Sequence, residues 1–138
     1  TDLLVVLGAN PYASNGSLAT APDWPGRIEA MRERGGRLVV IDPRRSRTAE
    51  EADVHLAIRP GTDAFLLAAL VTTLAEEGAI EPGAAGEWVQ GLDAVLEALA
   101  PFTAEAVAPT VGIKAHEIRQ LALDLSEAER AAVAIRGE

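Results

Sequence analysis

Two short, continuous apolar runs constrain the fold more than any other feature of this sequence. Leu3–Leu7 ends at Gly8, and residues 38–41 end at Asp42, which is followed by Pro43. Uninterrupted runs of this length, bounded by turn residues, are typical of strands that are buried on both faces of a parallel sheet. The sequence therefore predicts an α/β fold with a doubly wound, mostly parallel sheet, flanking helices and a helical C-terminal part.

The other elements are predicted from apolar periodicity and from Gly and Pro punctuation. A polar loop is expected over residues 8–25, and Thr62 is expected to cap the helix that follows it. We expect one domain over residues 1–138, in which 1–78 form the core strand–helix half and 79–138 the helical part with a final strand. The predicted elements are a helix at 26–34, one or two helical turns within 44–52, a strand at 54–58, a helix from Thr62 to Gly78, helices around 92–99 and 118–125, and a strand at 133–135.

Composition narrows the possible functions. The net charge of -9 disfavours binding to a nucleic-acid backbone or to an anionic membrane, and no apolar run reaches the ~20 residues that a membrane span needs. The absence of cysteine excludes disulfides, iron–sulfur ligation and thiolate zinc sites within this chain. The chain starts without Met and stops just after an apolar run, so we expect it to be part of a longer protein.

Polar residues cluster where the three predicted strands end, at residues 8–11, 42–45 and 59–63. Ligands of open parallel sheets bind beyond the carboxyl ends of the strands. Gly8 lets the backbone approach a ligand, and Asn10 offers amide donors and an acceptor; a simple tight turn is the alternative. Asp42 is placed to accept hydrogen bonds from a ribose, or to form an Asx turn before Pro43.

Charged residues at the same strand ends suggest a nucleotide. Arg44, Arg45 and Arg47 can grip a diphosphate, or form a solvated face balanced by nearby carboxylates. Asp63 can accept two parallel N–H bonds from the guanine edge, or serve only the dipole of its helix. The only histidines, His55 and His116, lie in no ligand-like cluster and are interpreted as structural.

The ordered set of these segments resembles the molybdopterin oxidoreductases of the dimethyl-sulfoxide-reductase and formate-dehydrogenase type. The first half of the chain carries most of the resemblance, and residues 102–125 are similar more loosely. The segments are Leu-Gly-Ala-Asn-Pro (7–11), Gly-Gly-Arg-Leu-Val-Val-Ile-Asp-Pro-Arg-Arg (35–45), Thr48-Ala49 with Ala52-Asp53, and Arg-Pro-Gly-Thr-Asp (59–63).

The resemblance implies a Rossmann-like domain that binds the guanosine end of a molybdopterin guanine dinucleotide. It implies a catalytic centre in the remaining domains of a parent enzyme, which would hold the molybdenum or tungsten and any iron–sulfur cluster. The compartment, the oligomeric state and the substrate stay open. Carried over by position, the cofactor-binding residues are Gly8, Asn10 and Pro11 at the nucleotide, Asp42 at the ribose, Arg44 and Ser46 at the ribose–phosphate region, and Gly61 with Asp63 at the guanine edge.

Two alternatives remain from the sequence. One is a domain that binds an adenine dinucleotide, like the central domain of thiamine-diphosphate enzymes or a sirtuin-like fold. The other is a non-catalytic interaction domain, because residues 110–125 have the spacing of a helix-turn-helix. The Arg-Pro-Gly-Thr-Asp segment argues against the first alternative, and the acidic charge argues against a DNA-binding form of the second.

Overall fold

The computed structural model describes residues 1–17 and 20–135. Within those ranges the protein has a parallel four-stranded sheet and seven α-helices, which confirms the predicted α/β class. The described residues divide into two compact units. The first comprises Thr1–Ile58 with Ala128–Glu138 and contains the sheet, and the second comprises Arg59–Glu127 and is helical.

The sheet of the first unit has the strand order β3-β2-β1-β4, and every neighbouring pair is parallel. This is the order of the first four strands in a doubly wound dinucleotide-binding sheet. The central strands β1 and β2 are buried at nearly every position, as their continuous apolar runs predict. The strands are β1 (Leu3–Leu7), β2 (Arg37–Ile41), β3 (Val54–Leu56) and β4 (Ala131–Ile135).

The final strand was predicted over residues 133–135, and the structure confirms that it joins the same sheet. Strand β4 starts at Ala131 and pairs with the whole of β1, from Leu3 opposite Ala131 to Leu7 opposite Ile135. It lies at the edge of the sheet, where Val133 is 46% exposed and Ile135 is 56% exposed. By contrast, β3 ends at Leu56 and is shorter than the predicted 54–58.

Three helices accompany the sheet within the first unit: α1 (Pro11–Ser14), α2 (Trp24–Glu33) and α3 (Arg47–Glu50). The last of these confirms the helical turn expected within 44–52. Apolar side chains from α2, α3 and the two central strands form one core cluster. Its buried members are Val6, Trp24, Ile28, Met31, Leu38, Val40 and Ala49.

Two predictions for the segment before β2 are wrong. Residues 8–25 are not all loop, because Pro11 in the first turn, with φ already fixed by its ring, starts the short helix α1. Helix α2 begins at Trp24 rather than Gly26, because Asp23 is its N-cap and accepts a hydrogen bond from the Gly26 N–H at 3.3 Å. A Cβ at residue 26 would collide with the Asp23 carboxylate, so a larger residue there would displace the capping side chain.

The second unit packs α4 against α6 and α7. Its helices are α4 (Asp63–Glu76), α5 (Leu92–Leu99), α6 (Ala104–Val111) and α7 (Ala115–Glu127), with a short 3-10 turn at Gly83–Ala85. Three residues each from α4, α6 and α7 form the apolar core. They are Leu66, Ala69, Leu70, Ala104, Val107, Val111, Ile118, Leu121 and Ala122.

Helix α6 was not predicted, because Pro109 and Pro101 favoured a break between the two amphipathic helices. Thr103 starts the helix by accepting a hydrogen bond from the Ala106 N–H at 3.2 Å, and Pro109 lies inside the helix, where it removes one N–H from the hydrogen-bond ladder. Within the described ranges no single helix has the length and apolar composition to cross a bilayer. Helices α5 and α6 pass that test only as a pair, bent by 64°.

Candidate functional site

The loops that follow β1 and β2 begin side by side at the carboxyl edge of the sheet. Leu7 lies opposite Ile41 in the parallel ladder, and the Gly8 N–H donates to the Ile41 carbonyl at 3.0 Å. Gly8 has φ 64, a left-handed conformation that other residues adopt only with strain. Gly8 and Asp42, both predicted site residues, are therefore neighbours at this edge.

Asn10 is held by a buried threonine that was quoted only as part of the family resemblance. The Asn10 Oδ1 accepts hydrogen bonds from the Thr48 backbone N–H at 3.2 Å and from the Thr48 hydroxyl at 2.7 Å. Thr48 is fully buried, and its hydroxyl accepts in turn from the Tyr12 N–H at 3.1 Å. Because a backbone N–H can only donate, the orientation of the Asn10 amide is fixed, and its Nδ2 group has no hydrogen-bond partner among residues 1–17 and 20–135.

Asp42 forms the Asx turn that was one of its two interpretations. Its Oδ1 accepts from the Arg44 N–H at 2.7 Å, and its backbone carbonyl lies 3.0 Å from His55 Nε2. His55 is thus hydrogen-bonded within the fold, and its purely structural role stays a prediction. The other carboxylate oxygen, Oδ2, has no hydrogen-bond partner within the described chain, so the turn does not use the whole acceptor capacity of Asp42. The ribose role stays a prediction.

The arginines and the serine after β2 have different environments. The side chains of Arg44 and Arg45 are exposed and form no ion pair with any described residue. Ser46 is the N-cap of α3, and its hydroxyl accepts from the Ala49 N–H at 3.3 Å. Pro11 is buried at the start of α1. The basic side chains that can meet an anion at this edge are therefore those of Arg44 and Arg45.

Arg47 instead lines a groove of about 630 Å³ with Tyr12 and Arg32. The groove also contains Glu29, Glu33 and Glu51, and the Arg32 guanidinium already binds Asp53 at 3.1 Å. Burial raises the pKa of the Tyr12 hydroxyl above its ordinary value, against the opposing effect of Arg32. With three carboxylates on its walls, this groove does not suit a phosphate.

Gly61 and Asp63 lie in the second unit, at the start of α4. Gly61 is exposed with φ 75, and a Cβ built there would meet nothing within 4 Å. Asp63 is the first residue of α4, and its carboxylate has no hydrogen bond or ion pair with a described residue. Thr62 is the N-cap residue of α4, as predicted, but its hydroxyl donates to the Arg59 carbonyl at 2.7 Å and makes no capping hydrogen bond to the helix.

Arg59 has a structural role that the sequence did not reveal. Its guanidinium Nη1 donates to the Pro109 carbonyl at 2.6 Å, and its backbone N–H donates to the Val111 carbonyl at 2.8 Å. Both bonds tie the segment before α4 to the end of α6, which is an element that the sequence did not predict. Only the three-dimensional structure could therefore show this contact.

The predicted site residues are thus divided between the units. Six of them surround the carboxyl edge of β1 and β2, and Gly61 and Asp63 belong to the second unit. That all of them bind one ligand stays a prediction. In the part of the chain that the structure describes, no three His, Cys, Asp or Glu side chains are grouped so as to hold a metal ion.

Several known proteins are similar to this chain over nearly its whole length. Formate dehydrogenase H of Escherichia coli is 30% identical over 133 residues, which are 96% of this chain and 18% of that protein. The F420-dependent formate dehydrogenase subunit alpha of Methanocaldococcus jannaschii is 27% identical over 132 residues, 96% of this chain and 19% of that subunit. No family model matches the chain.

A solved structure gives the same result at the level of the fold. The acetylene hydratase from Pelobacter acetylenicus superposes with a TM-score of 0.81 at 28% identity, over 96% of this chain and 18% of that protein. The chain thus spans less than a fifth of the length of these three relatives. The resemblance read from the sequence is confirmed, and the chain belongs to the molybdopterin oxidoreductase family of the dimethyl-sulfoxide-reductase type.

Proposed function

We propose that this chain binds the guanosine end of a molybdopterin guanine dinucleotide as one domain, residues 1–138, of a molybdenum or tungsten oxidoreductase. The remaining domains of that parent enzyme would be its partners and would hold the catalytic centre. The observation that carries the proposal is a pair of polar groups at the carboxyl edge of the sheet, Asn10 Nδ2 and Asp42 Oδ2, which have no partner among the described residues.

The names of the relatives support a role in binding a shared group rather than in choosing a substrate. They include formate dehydrogenases, a nitrate reductase of Shewanella frigidimarina and an acetylene hydratase, which differ in substrate and in reaction. Each contains a segment similar to this chain. A segment common to such different reactions is best explained by a cofactor that they have in common.

The proposed contacts of Asn10, Asp42, Arg44 and Asp63 use groups that the fold leaves available, whereas Pro11 is buried and Ser46 caps α3. Gly8, Asn10 and Pro11 would border the nucleotide, and Asp42 Oδ2 would accept from a ribose hydroxyl. Arg44, with Ser46 beside it, would neutralise phosphate charge through forked hydrogen bonds. Gly61 would let the guanine approach the backbone, and the Asp63 carboxylate would accept from its N1–H and exocyclic amine. The bound cofactor supplies the metal centre at which the parent's redox reaction takes place.

The affinity of this chain for a nucleotide alone should be modest. Two or three charge-assisted hydrogen bonds contribute about 1.5–3 kcal/mol each. Association costs roughly 4 kcal/mol or more in lost freedom. The balance is at most about 5 kcal/mol, so at its favourable end we expect dissociation constants between about 0.2 and 1 mM for guanine nucleotides.

The test is a titration of the ¹⁵N-labelled chain with GDP and, separately, with ADP. We expect GDP to shift the backbone amides of residues 8–11, 42–46 and 61–63, and to do so at lower concentration than ADP. Asp63→Asn should remove the preference for GDP, because an amide accepts only through its single oxygen. Asp93→Asn is the matched control, because Asp93 also lies in the first turn of a helix, α5, and losing its charge should change nothing.

Two results would contradict the proposal. Equal responses to GDP and ADP would favour the adenine-dinucleotide alternative. Shifts confined to other residues, or no shift at a nucleotide concentration of about 10 mM, well above the expected range, would remove the assigned site while leaving the family and the fold unaffected.

A further inference from the structure

The second unit contains a long stretch of chain with only negative charges. Between Pro60 and Ile113 there is no Lys or Arg, whereas the acidic residues are Asp63, Glu76, Glu77, Glu81, Glu87, Asp93, Glu97 and Glu105. Arg119, further along the chain, pairs with Glu76 at 2.9 Å and with Glu105 at 2.7 Å. Glu81, Glu87, Asp93 and Glu97 are exposed and have no ion pair with a described residue.

The same segment of the chain carries the most exposed large apolar side chain of the described protein, next to Glu87 in the sequence. Trp88 is 83% exposed, and its neighbour Val89 is 44% exposed. Val89 lines a shallow groove of about 370 Å³ together with Ala79, Ile80, Glu81, Pro82 and Leu92. We call this groove with Trp88, Glu87 and Asp93 the Trp88 face.

The apolar groups of this face are not needed for the core of the second unit. None of the residues of α5 is buried, and Val95 on that helix is 52% exposed. The Trp88 and Val89 backbone N–H groups both bond the Ala85 carbonyl, at 2.9 and 3.0 Å, so hydrogen bonds hold the segment without burial of the indole. Exposed tryptophan beside an apolar groove is typical of the anchor residues of protein interfaces.

The charges around the face decide which partner it fits. A second copy would bring Glu81, Glu87 and Asp93 against the same residues, and like charges repel. An anionic membrane or a nucleic acid would be repelled in the same way. We propose that the Trp88 face docks a segment of a different protein chain in which Lys or Arg side chains flank an apolar anchor.

The test uses the ¹⁵N-labelled 138-residue chain and a synthetic helical peptide with Leu at i, i+3, i+4 and i+7 spacing and Lys elsewhere. The two tryptophan indole N–H signals separate the face from the core, because Trp24 is buried in the first unit. We expect the peptide to shift the Trp88 indole and the amides of residues 79–93, and to leave the Trp24 indole unchanged.

Variants test whether Trp88 anchors the peptide or whether the acidic residues alone attract it. Trp88→Ala should weaken binding about tenfold or more, as truncating an interface tryptophan does, whereas Trp88→Phe should retain most of the affinity. Glu81→Gln with Glu87→Gln should lower the affinity and its salt dependence. Glu29→Gln with Glu33→Gln removes the same charge from the first unit and should have no effect.

Several outcomes would overturn the proposal. These are equal binding of a peptide in which Ser replaces every Leu, unchanged affinity in Trp88→Ala, or a shift of the Trp88 indole on adding zwitterionic lipid vesicles but not the peptide. Sedimentation showing that the chain dimerises, with dimerisation lost in Trp88→Ala, would assign the face to a second copy instead.

Discussion

Thr48 holds together two loops that are far apart in the sequence. Its hydroxyl accepts from the Tyr12 N–H and donates to Asn10 Oδ1, and its own N–H donates to the same oxygen. The start of α1 and the start of α3 are thus fixed by one fully buried side chain. Because Asn10 depends on this contact for its orientation, Thr48 is a positioning residue for the proposed site.

Replacing Thr48 by Val keeps its shape and removes the hydroxyl. The Tyr12 N–H would lose its acceptor inside the protein, and an unsatisfied buried donor costs about 1–3 kcal/mol. We expect Thr48→Val to lower the free energy of unfolding by that amount in urea denaturation. Thr48→Ser retains the hydroxyl and should cost less than Thr48→Val. Equal stability of Thr48→Val and the unchanged chain would contradict the structural role.

At the scale of single residues, the sequence patterns predicted where polar groups lie but not which groups they would form hydrogen bonds with. Gly8 and Asp42 were expected at strand ends, and they lie there because adjacent parallel strands end at one edge. That Asn10 would bond Thr48, and that Arg59 would bond the Pro109 carbonyl, depends on contacts 38 and 50 positions apart. Local propensity has no information about such contacts.

The ion pairs of Arg119 connect three helices of the second unit. The guanidinium on α7 binds Glu76 on α4 and, through two hydrogen bonds of 2.8 and 2.7 Å, Glu105 on α6. This bidentate contact lowers the pKa of the Glu105 carboxyl below its ordinary value and raises the pKa of Arg119. Surface pairs contribute little unless they form a network with good geometry, as this one does.

The direction of the Glu105 shift gives a prediction about pH. A carboxyl whose pKa is lower in the folded protein stabilises it fully above the unfolded pKa, and that contribution is lost as pH falls through the lower folded value. We expect a small loss of stability on acidification below the ordinary glutamate pKa of 4.5. In Glu105→Gln this part of the pH dependence of thermal unfolding should disappear, whereas it should persist in Glu129→Gln, which lies outside the network. A pH profile identical in Glu105→Gln and the unchanged chain would refute the contact.

Elements were predictable where an apolar run or a period was clear. The apolar runs of β1 and β2 were sufficient to predict both strands, because these strands are buried at nearly every position, and α7 showed its apolar period. Helix α6 was missed because a proline such as Pro109 predicts the end of a helix. The packing of α6 against α4 and α7 outweighs that local preference. In α5 the apolar period predicted the helix correctly, but Leu92, Leu96 and Leu99 are only half-buried and Val95 is exposed.

For the whole molecule, the exposed edge strand is the most direct hazard for solubility. Strand β4 presents Val133 and Ile135 together with one row of its backbone groups at the edge of the sheet. Such an edge is a template for pairing with another chain, and a lysine on it blocks pairing.

Val133→Lys should therefore suppress aggregation on heating. The change in the free energy of unfolding should stay within about 0.5 kcal/mol, as is usual for exposed positions. Light scattering during a thermal ramp measures the effect, and Ser17→Lys, which adds the same charge at an exposed position away from the edge, is the control. Equal scattering by the two variants would show that charge alone matters.

The strand order also determines when each strand can pair with its neighbours during synthesis on the ribosome. Strand β1 is synthesised first but lies inside the sheet, between β2 and β4. It can pair with β2 early, yet its other edge has no neighbour until residues 131–135 have been made. Throughout that interval the whole second unit is being produced while an apolar strand stays half paired. While the second unit is being synthesised the sheet is therefore prone to aggregation, and that is the period in which a chaperone would matter.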